Sequence, residues 1–155
     1  MPPCFHLDSE HDVAVLRPRS DDSTNRLTRS WVEVLTKQIT ELAHAPRPII
    51  ITGNDQFFSA GADLNEISVL SGAEAYEFSK MGQTLMNTIE QFPAPIYAAI
   101  NGYCMGGGLD LALACHRRIA SAKAVFGHRG AALGLITGWG GTQRLPCILG
   151  KSGAL

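Results

Sequence analysis

The sequence predicts an α/β domain, and three observations carry that reading. Apolar, β-branched runs such as Ile49-Ile50-Ile51-Thr52 stand between Pro48 and Gly53 as buried strands do. Segments with apolar residues at helical spacing alternate with them, first Trp31, Leu35, Ile39 and Leu42, later Phe78, Met81, Leu85, Ile89 and Phe92. Loops of small residues join one to the next. Strands so arranged are covered by helices on at least one side.

Taken in order, Val13-Ala14-Val15-Leu16 predicts a strand ended by Arg17-Pro18, and Arg19 to Asn25 a polar loop. Thr28 or Ser30 caps the next helix, which stops before Pro46. After the Ile49–Gly53 strand, Phe57-Phe58-Ser59-Ala60-Gly61-Ala62-Asp63-Leu64 reads as a loop of small residues with an aromatic start. A second amphipathic helix spans about Ala73 to Gln91, with Met81 as core filling. Pro95 to Ile100 is a strand, and Leu109 to Cys115 a helix. Arg118-Ile119-Ala120 and Ala124-Val125-Phe126-Gly127 are short strands. The loop Gly138-Trp139-Gly140-Gly141 opens a last helix that reaches about Leu149.

Composition narrows the function classes. At 155 residues and 45% hydrophobic content, residues 1–155 make one domain with one core. A formal charge of −1 gives no basic footprint for nucleic acid or for an anionic membrane. The opening Met1-Pro2-Pro3-Cys4-Phe5-His6 has neither a charged nor an apolar leader region, and no apolar run approaches the ~20 residues that span a bilayer. Cys4, Cys104, Cys115 and Cys147 lack the close pairing of a metal site. They read as scattered reduced thiols, which fits the cytoplasm.

The chemistry-bearing stretch is Asn101-Gly102-Tyr103-Cys104-Met105-Gly106-Gly107-Gly108-Leu109-Asp110-Leu111. Three glycines where a helix begins leave its first N–H groups bare of side chains. Those groups have no intrahelical partner and sit at the positive end of the helix dipole, where an oxygen carrying negative charge can approach. No Lys-Ser/Thr follows for a P-loop, and the spacing is not that of a Rossmann turn. The pattern points to an oxyanion site made of backbone.

Three motifs in order, Phe58 to Leu64, Pro95 to Leu111, and Phe126-Gly127 with Gly134 to Leu145, resemble the crotonase (enoyl-CoA hydratase/isomerase) superfamily. The likeness runs from about Val13 to the end of the chain. It implies a spiral of ββα turns, followed in such proteins by a C-terminal helical region that this sequence does not reach, stopping at Leu155. It implies an acyl-CoA thioester substrate, no separate cofactor and no metal. It also implies assembly as a homotrimer or dimer of trimers at full length, and reactions of the lyase or isomerase type, as in fatty acid metabolism.

By position, the resemblance makes Ala60 and Gly107 the two N–H donors that hold the thioester oxygen as an enolate forms. Ala60, Gly61, Ala62, Asp63, Leu64 and Gly107 would follow the coenzyme A, although Asp63 serves equally well as a helix cap. A hydratase of this family carries two glutamates that hold and activate a water. Here the first is Asp110, shorter by one methylene, and the second is Gly130, with no functional group at all. The expectation is an enolate-forming enzyme rather than a two-glutamate hydratase. The alternative is a non-catalytic CoA-binding or assembly subunit. His128 is the first substitute for the missing base: if its segment is extended, it shares a face with Gly130. Trp139 is a candidate lining of the acyl pocket.

Overall fold

The computed structural model describes residues 5–154, so Cys4, the rest of the first four residues and Leu155 lie outside the described residues. The chain opens with an antiparallel hairpin, β1 (Phe5–Glu10) and β2 (Val13–Pro18). A two-residue strand, β3 (Arg26–Leu27), precedes helix α1 (Arg29–Leu42), whose cap is Thr28, accepting from the Trp31 N–H. Next come β4 (Ile49–Thr52), β5 (Phe57–Ser59), β6 (Gly61–Ala62), the short helix α2 (Leu64–Ser68) and the long helix α3 (Gly72–Glu90). The chain continues through β7 (Ile96–Ile100), β8 (Tyr103–Met105), α4 (Gly107–Ala114), β9 (Arg117–Ala120) and β10 (Val125–Gly127). A 3-10 turn at Arg129–Leu133 leads to α5 (Gly141–Leu149) and α6 (Lys151–Ala154).

Two sheets advance in step. The larger has the order β1-β2-β4-β7-β9 and the smaller β10-β8-β5, while β3 pairs with β6. From β4 onward every pairing is parallel. The first strand of each turn, β4, β7 and β9, joins the larger sheet, and the second, β5, β8 and β10, joins the smaller. That is the expected spiral of strand pairs and helices. Alternate residues Ala14, Leu16, Ile49, Ile51, Ile96, Ala98 and Ile100 form one buried face, which meets Val32, Leu35 and Ile39 of α1 and Leu85, Met86 and Ile89 of α3. Helix α3 starts at a reciprocal cap, Ser71 with Glu74, so its onset is fixed by the chain itself.

Arg118 closes α4 at the far end, donating from Nη1 to the carbonyls of Ala112, Leu113 and Cys115. A cation there satisfies the last orphan carbonyls and complements the dipole. The site lies at the opposite end of the same helix.

Several short elements differ from expectation. The Phe57–Leu64 segment is not only loop: it holds β5, β6 and the start of α2. Strand β1 joins β2 although its residues, Phe5 to Glu10, alternate too weakly in polarity to announce it. The stretch after Phe126-Gly127 is not extended. It turns as a 3-10 helix from Arg129, so His128 and Gly130 do not share a strand face.

Candidate active site

Two loops meet at the start of α4. The turn between β5 and β6 is held by Asn25 and Ser59: Asn25 Nδ2 donates to the Phe57 carbonyl at 2.9 Å, and Ser59 Oγ donates to the Asn25 carbonyl at 2.7 Å. Ser59 Oγ also accepts from the Gly61 N–H at 3.0 Å. Gly61 has φ +95° and sits so close to the Met105 carbonyl that a β-carbon there would stand 2.7 Å from it. Only glycine fits both demands.

The expectation for Ala60 is corrected here. Its N–H donates to the Thr24 carbonyl at 2.9 Å and is used up in the fold. Three residues on, Asp63 N–H donates to the Leu27 carbonyl, at 3.4 Å. Alternation along a strand therefore turns the intervening Ala62 N–H away from β3. It faces the first turn of α4, where a β-carbon on Gly107 would lie 3.5 Å from Ala62 N. Gly106 supplies the helix cap at φ +51°, and its carbonyl accepts from Leu109 and Asp110. Among the described residues, no turn or cap carbonyl accepts the Gly107 N–H. Ala62 and Gly107 are thus the two neighbouring backbone donors. Ala62 was anticipated only as part of the CoA path. The signal that could have found it is the one-in-two alternation of a strand too short to be recognised.

The remaining residues of the β5–β6 motif take simpler places. Asp63 caps α2, accepting from Asn65 N–H at 2.8 Å and Glu66 N–H at 3.4 Å, and stands 3.7 Å from Arg26. Leu64, the first residue of α2, is half exposed.

Asp110 is buried at the end of the first turn of α4, its residue 2% exposed. Oδ2 accepts from Thr137 Oγ1 at 2.5 Å. Oδ1 faces Nε2 of His128 at 3.2 Å, in contact but not aligned as a hydrogen bond, and neither buried atom has another hydrogen-bond partner. Gly141, the first residue of α5, closes the cluster: a β-carbon there would overlap Oδ1 and stand 2.8 Å from His128 Nε2. Sequence reasoning singled out Asp110 and named His128 separately. It did not foresee that the 3-10 turn would bring them together, nor that Thr137 would join them.

Gly130 lies just beyond. A β-carbon at this position would be 3.2 Å from the Leu135 carbonyl, and the Gly130 carbonyl accepts from Leu135 N–H at 2.9 Å. The space opened by the missing side chain is bounded closely by the following loop. Trp139 is buried, its ring over Gly107 and Gly82 and 5.3 Å from the Phe78 ring. Its carbonyl accepts from Arg144, which also reaches Glu90 at 2.7 Å and Asn87 at 3.0 Å.

Cys104 and Cys115 are no nucleophiles here. Burial, assisted by the charges of Cys115 and Asp110, pushes the Cys104 thiol up to about 12. Burial does the same for Cys115, again to about 12, against the pull of Arg118. A cleft of about 870 Å³ between α3, the end of α4 and α5 touches this cluster only at Thr137 and Trp139. Size does not locate the chemistry; the converging polar groups do.

The fold and this cluster define a crotonase-type α/β protein with a backbone donor pair beside a buried carboxylate. The chain belongs to the enoyl-CoA hydratase/isomerase family, whose model matches residues 8–155. It is 52% identical over 110 residues to a Bacillus subtilis (strain 168) protein named Probable enoyl-CoA hydratase, covering 70% of this chain and 43% of that one. It is 39% identical over 147 residues to the crotonyl-CoA hydratase of Syntrophomonas wolfei, covering 93% and 56%. Among solved structures it resembles the enoyl-CoA hydratase of Bacillus anthracis, with TM-score 0.92 and 34% identity over 97% of this chain and 60% of that one. The chain spans about half the length of the curated relatives it matches. Among the described residues, no helix is long and apolar enough to cross a membrane.

Proposed function

We propose that this chain carries the reaction centre of an acyl-CoA enzyme that forms an enolate from the thioester. The observation that carries the reading is the pairing of the Ala62 and Gly107 main chains next to the buried Asp110 carboxylate. The thioester oxygen would lie between the two N–H groups. Each donor preorganised on a developing oxyanion is worth about 3 kcal/mol in the transition state. Asp110 would take or return the proton at the neighbouring carbon. Gly61 to Leu64 would run along the coenzyme A, whose own thioester is the only cofactor chemistry required.

Hydration by two carboxylates does not suit this site, because Gly130 offers no second one. Proton transfer, isomerisation, decarboxylation or hydrolysis through the same enolate do suit it. Gly130 also supports a second reading, a CoA-binding or assembly subunit without turnover. Assembly as a homotrimer or dimer of trimers is what the family resemblance implies for the full-length protein. The cytoplasm is the expected location.

The test is a turnover screen of the full chain over a panel of acyl-CoA thioesters, repeated with Asp110→Asn. A catalyst of this kind loses at least ~100-fold in turnover of its substrate, the low end for a general base. Binding of acyl-CoA with no turnover of any thioester would establish the non-catalytic reading instead.

A further inference from the structure

We propose that His128 is the proton outlet of this site, linking the buried Asp110 to solvent; the proposal rests on the enolate reading above. Asp110 is sealed in: its side chain is 3% exposed, Thr137 occupies one oxygen, and Gly141 packs against the other. A carboxylate so enclosed has no direct route to water. His128 provides one. Its Nε2 is buried against Asp110 Oδ1 at 3.2 Å, while its side chain as a whole keeps 22% exposure. One ring nitrogen thus faces the acid while part of the same side chain is open to the surface.

The two facing atoms have no other hydrogen-bond partner, so each is free to pass a proton to the other. Asp110 Oδ1 takes the proton from the carbon beside the thioester carbonyl, and the electron pair of that C–H bond becomes the enolate. With His128 protonated on Nδ1, the Nε2 lone pair accepts the proton from Oδ1. This restores the carboxylate and leaves an imidazolium beside it. The imidazolium exchanges both of its N–H protons with water as the side chain opens to the surface, and a solvent proton passed back from Nε2 through Oδ1 reprotonates the carbon. Imidazole suits this relay because its ordinary pKa lies near neutrality. Thr137 and Gly141 are positioning residues, one holding Oδ2 and the other leaving room for the pair.

The relay is tested by exchange of the α-hydrogens of butyryl-CoA in deuterated water, followed by proton NMR on the full chain. The unmodified protein washes them out. His128→Ala slows exchange by ~100-fold or more while butyryl-CoA binds within a few-fold of its original affinity, and added imidazole restores part of the rate. His128→Gln, which keeps the size but cannot relay a proton, stays slow and serves alone if His128→Ala fails to fold by circular dichroism. Full-rate exchange by folded His128→Gln, with exchange lost in Asp110→Asn, overturns the relay and leaves the enolate reading standing. Binding without exchange by the unmodified protein overturns the relay too. A protein that neither binds nor exchanges butyryl-CoA overturns both.

Discussion

Gly141 and Asp110 occupy adjoining space so fully that a single β-carbon on the glycine would overlap the carboxylate oxygen. The start of α5 is thus built around the acid of α4, although 31 positions separate them in the chain.

Gly141→Ala is therefore the sharpest steric test of the cluster. The methyl must displace Asp110 or His128, and overpacking of this kind costs about 1–3 kcal/mol. Thermal melting should show that loss, and turnover should fall further than stability does. An alanine variant with unchanged melting and turnover would mean that the helix start and the carboxylate are farther apart than described.

Gly107→Pro removes one backbone donor outright. Turnover should be abolished while coenzyme A itself still binds, as judged by calorimetry. Retained turnover would place the oxyanion elsewhere.

Crotonyl-CoA hydration should be slight in the unmodified protein, because Gly130 supplies no carboxylate. Gly130→Glu should restore part of it, limited by the Leu135 carbonyl, which stands 3.2 Å from where the new β-carbon would be. Adding Asp110→Glu should raise it further and non-additively, since both groups act on one water. Robust hydration without any substitution would refute this account of Gly130.

Trp139→Ala empties the space over Gly107 and Gly82. Loss of a buried tryptophan costs about 3–5 kcal/mol, so a lower denaturation midpoint is expected. Any surviving activity should shift toward longer acyl groups. An unchanged chain-length profile would remove Trp139 from the acyl wall.

The thiols divide cleanly. Cys104 and Cys115 are buried and Cys147 is exposed, so among these three only Cys147 should react with a thiol reagent in the native protein, by mass mapping. The folded values of Cys104 and Cys115, about 12, lie above the 9.0 of a free thiol. Their contribution is complete below pH 9 and is lost as pH rises from there toward 12, because the unfolded chain ionises first. Melting temperature should fall across that range, and Cys104→Ala should flatten the slope.

Much of this was readable in the chain. The helices around Leu35 and Leu85 and the strands at Ile49 and Ile96 are long enough for periodicity to name them, and their faces are the observed core. The two- and three-residue strands β3, β5, β6 and β8 carry too few residues to show any period, and pairing alone defines them. The site followed the same division. Gly107 and Asp110 stand in a motif whose chemistry is local. Ala62 displaced Ala60 because the direction of an N–H depends on the register with β3, a relation to a distant segment. The meeting of Asp110, His128 and Thr137 depends on how two turns stack, which no local pattern encodes.

Because the sheets advance in parallel, Phe57 must find Tyr103, and Tyr103 must find Val125, before the smaller sheet exists. Each pairing closes a long loop, which is slow compared with forming a helix. Ala62, Gly107, His128 and Gly141 belong to successive stages of that winding. An early collapsed chain could already bury its apolar strands and helices while these groups were still apart. Competence for chemistry is then the last property the polypeptide acquires on folding, and recovery of activity should trail recovery of helix signal in a refolding experiment.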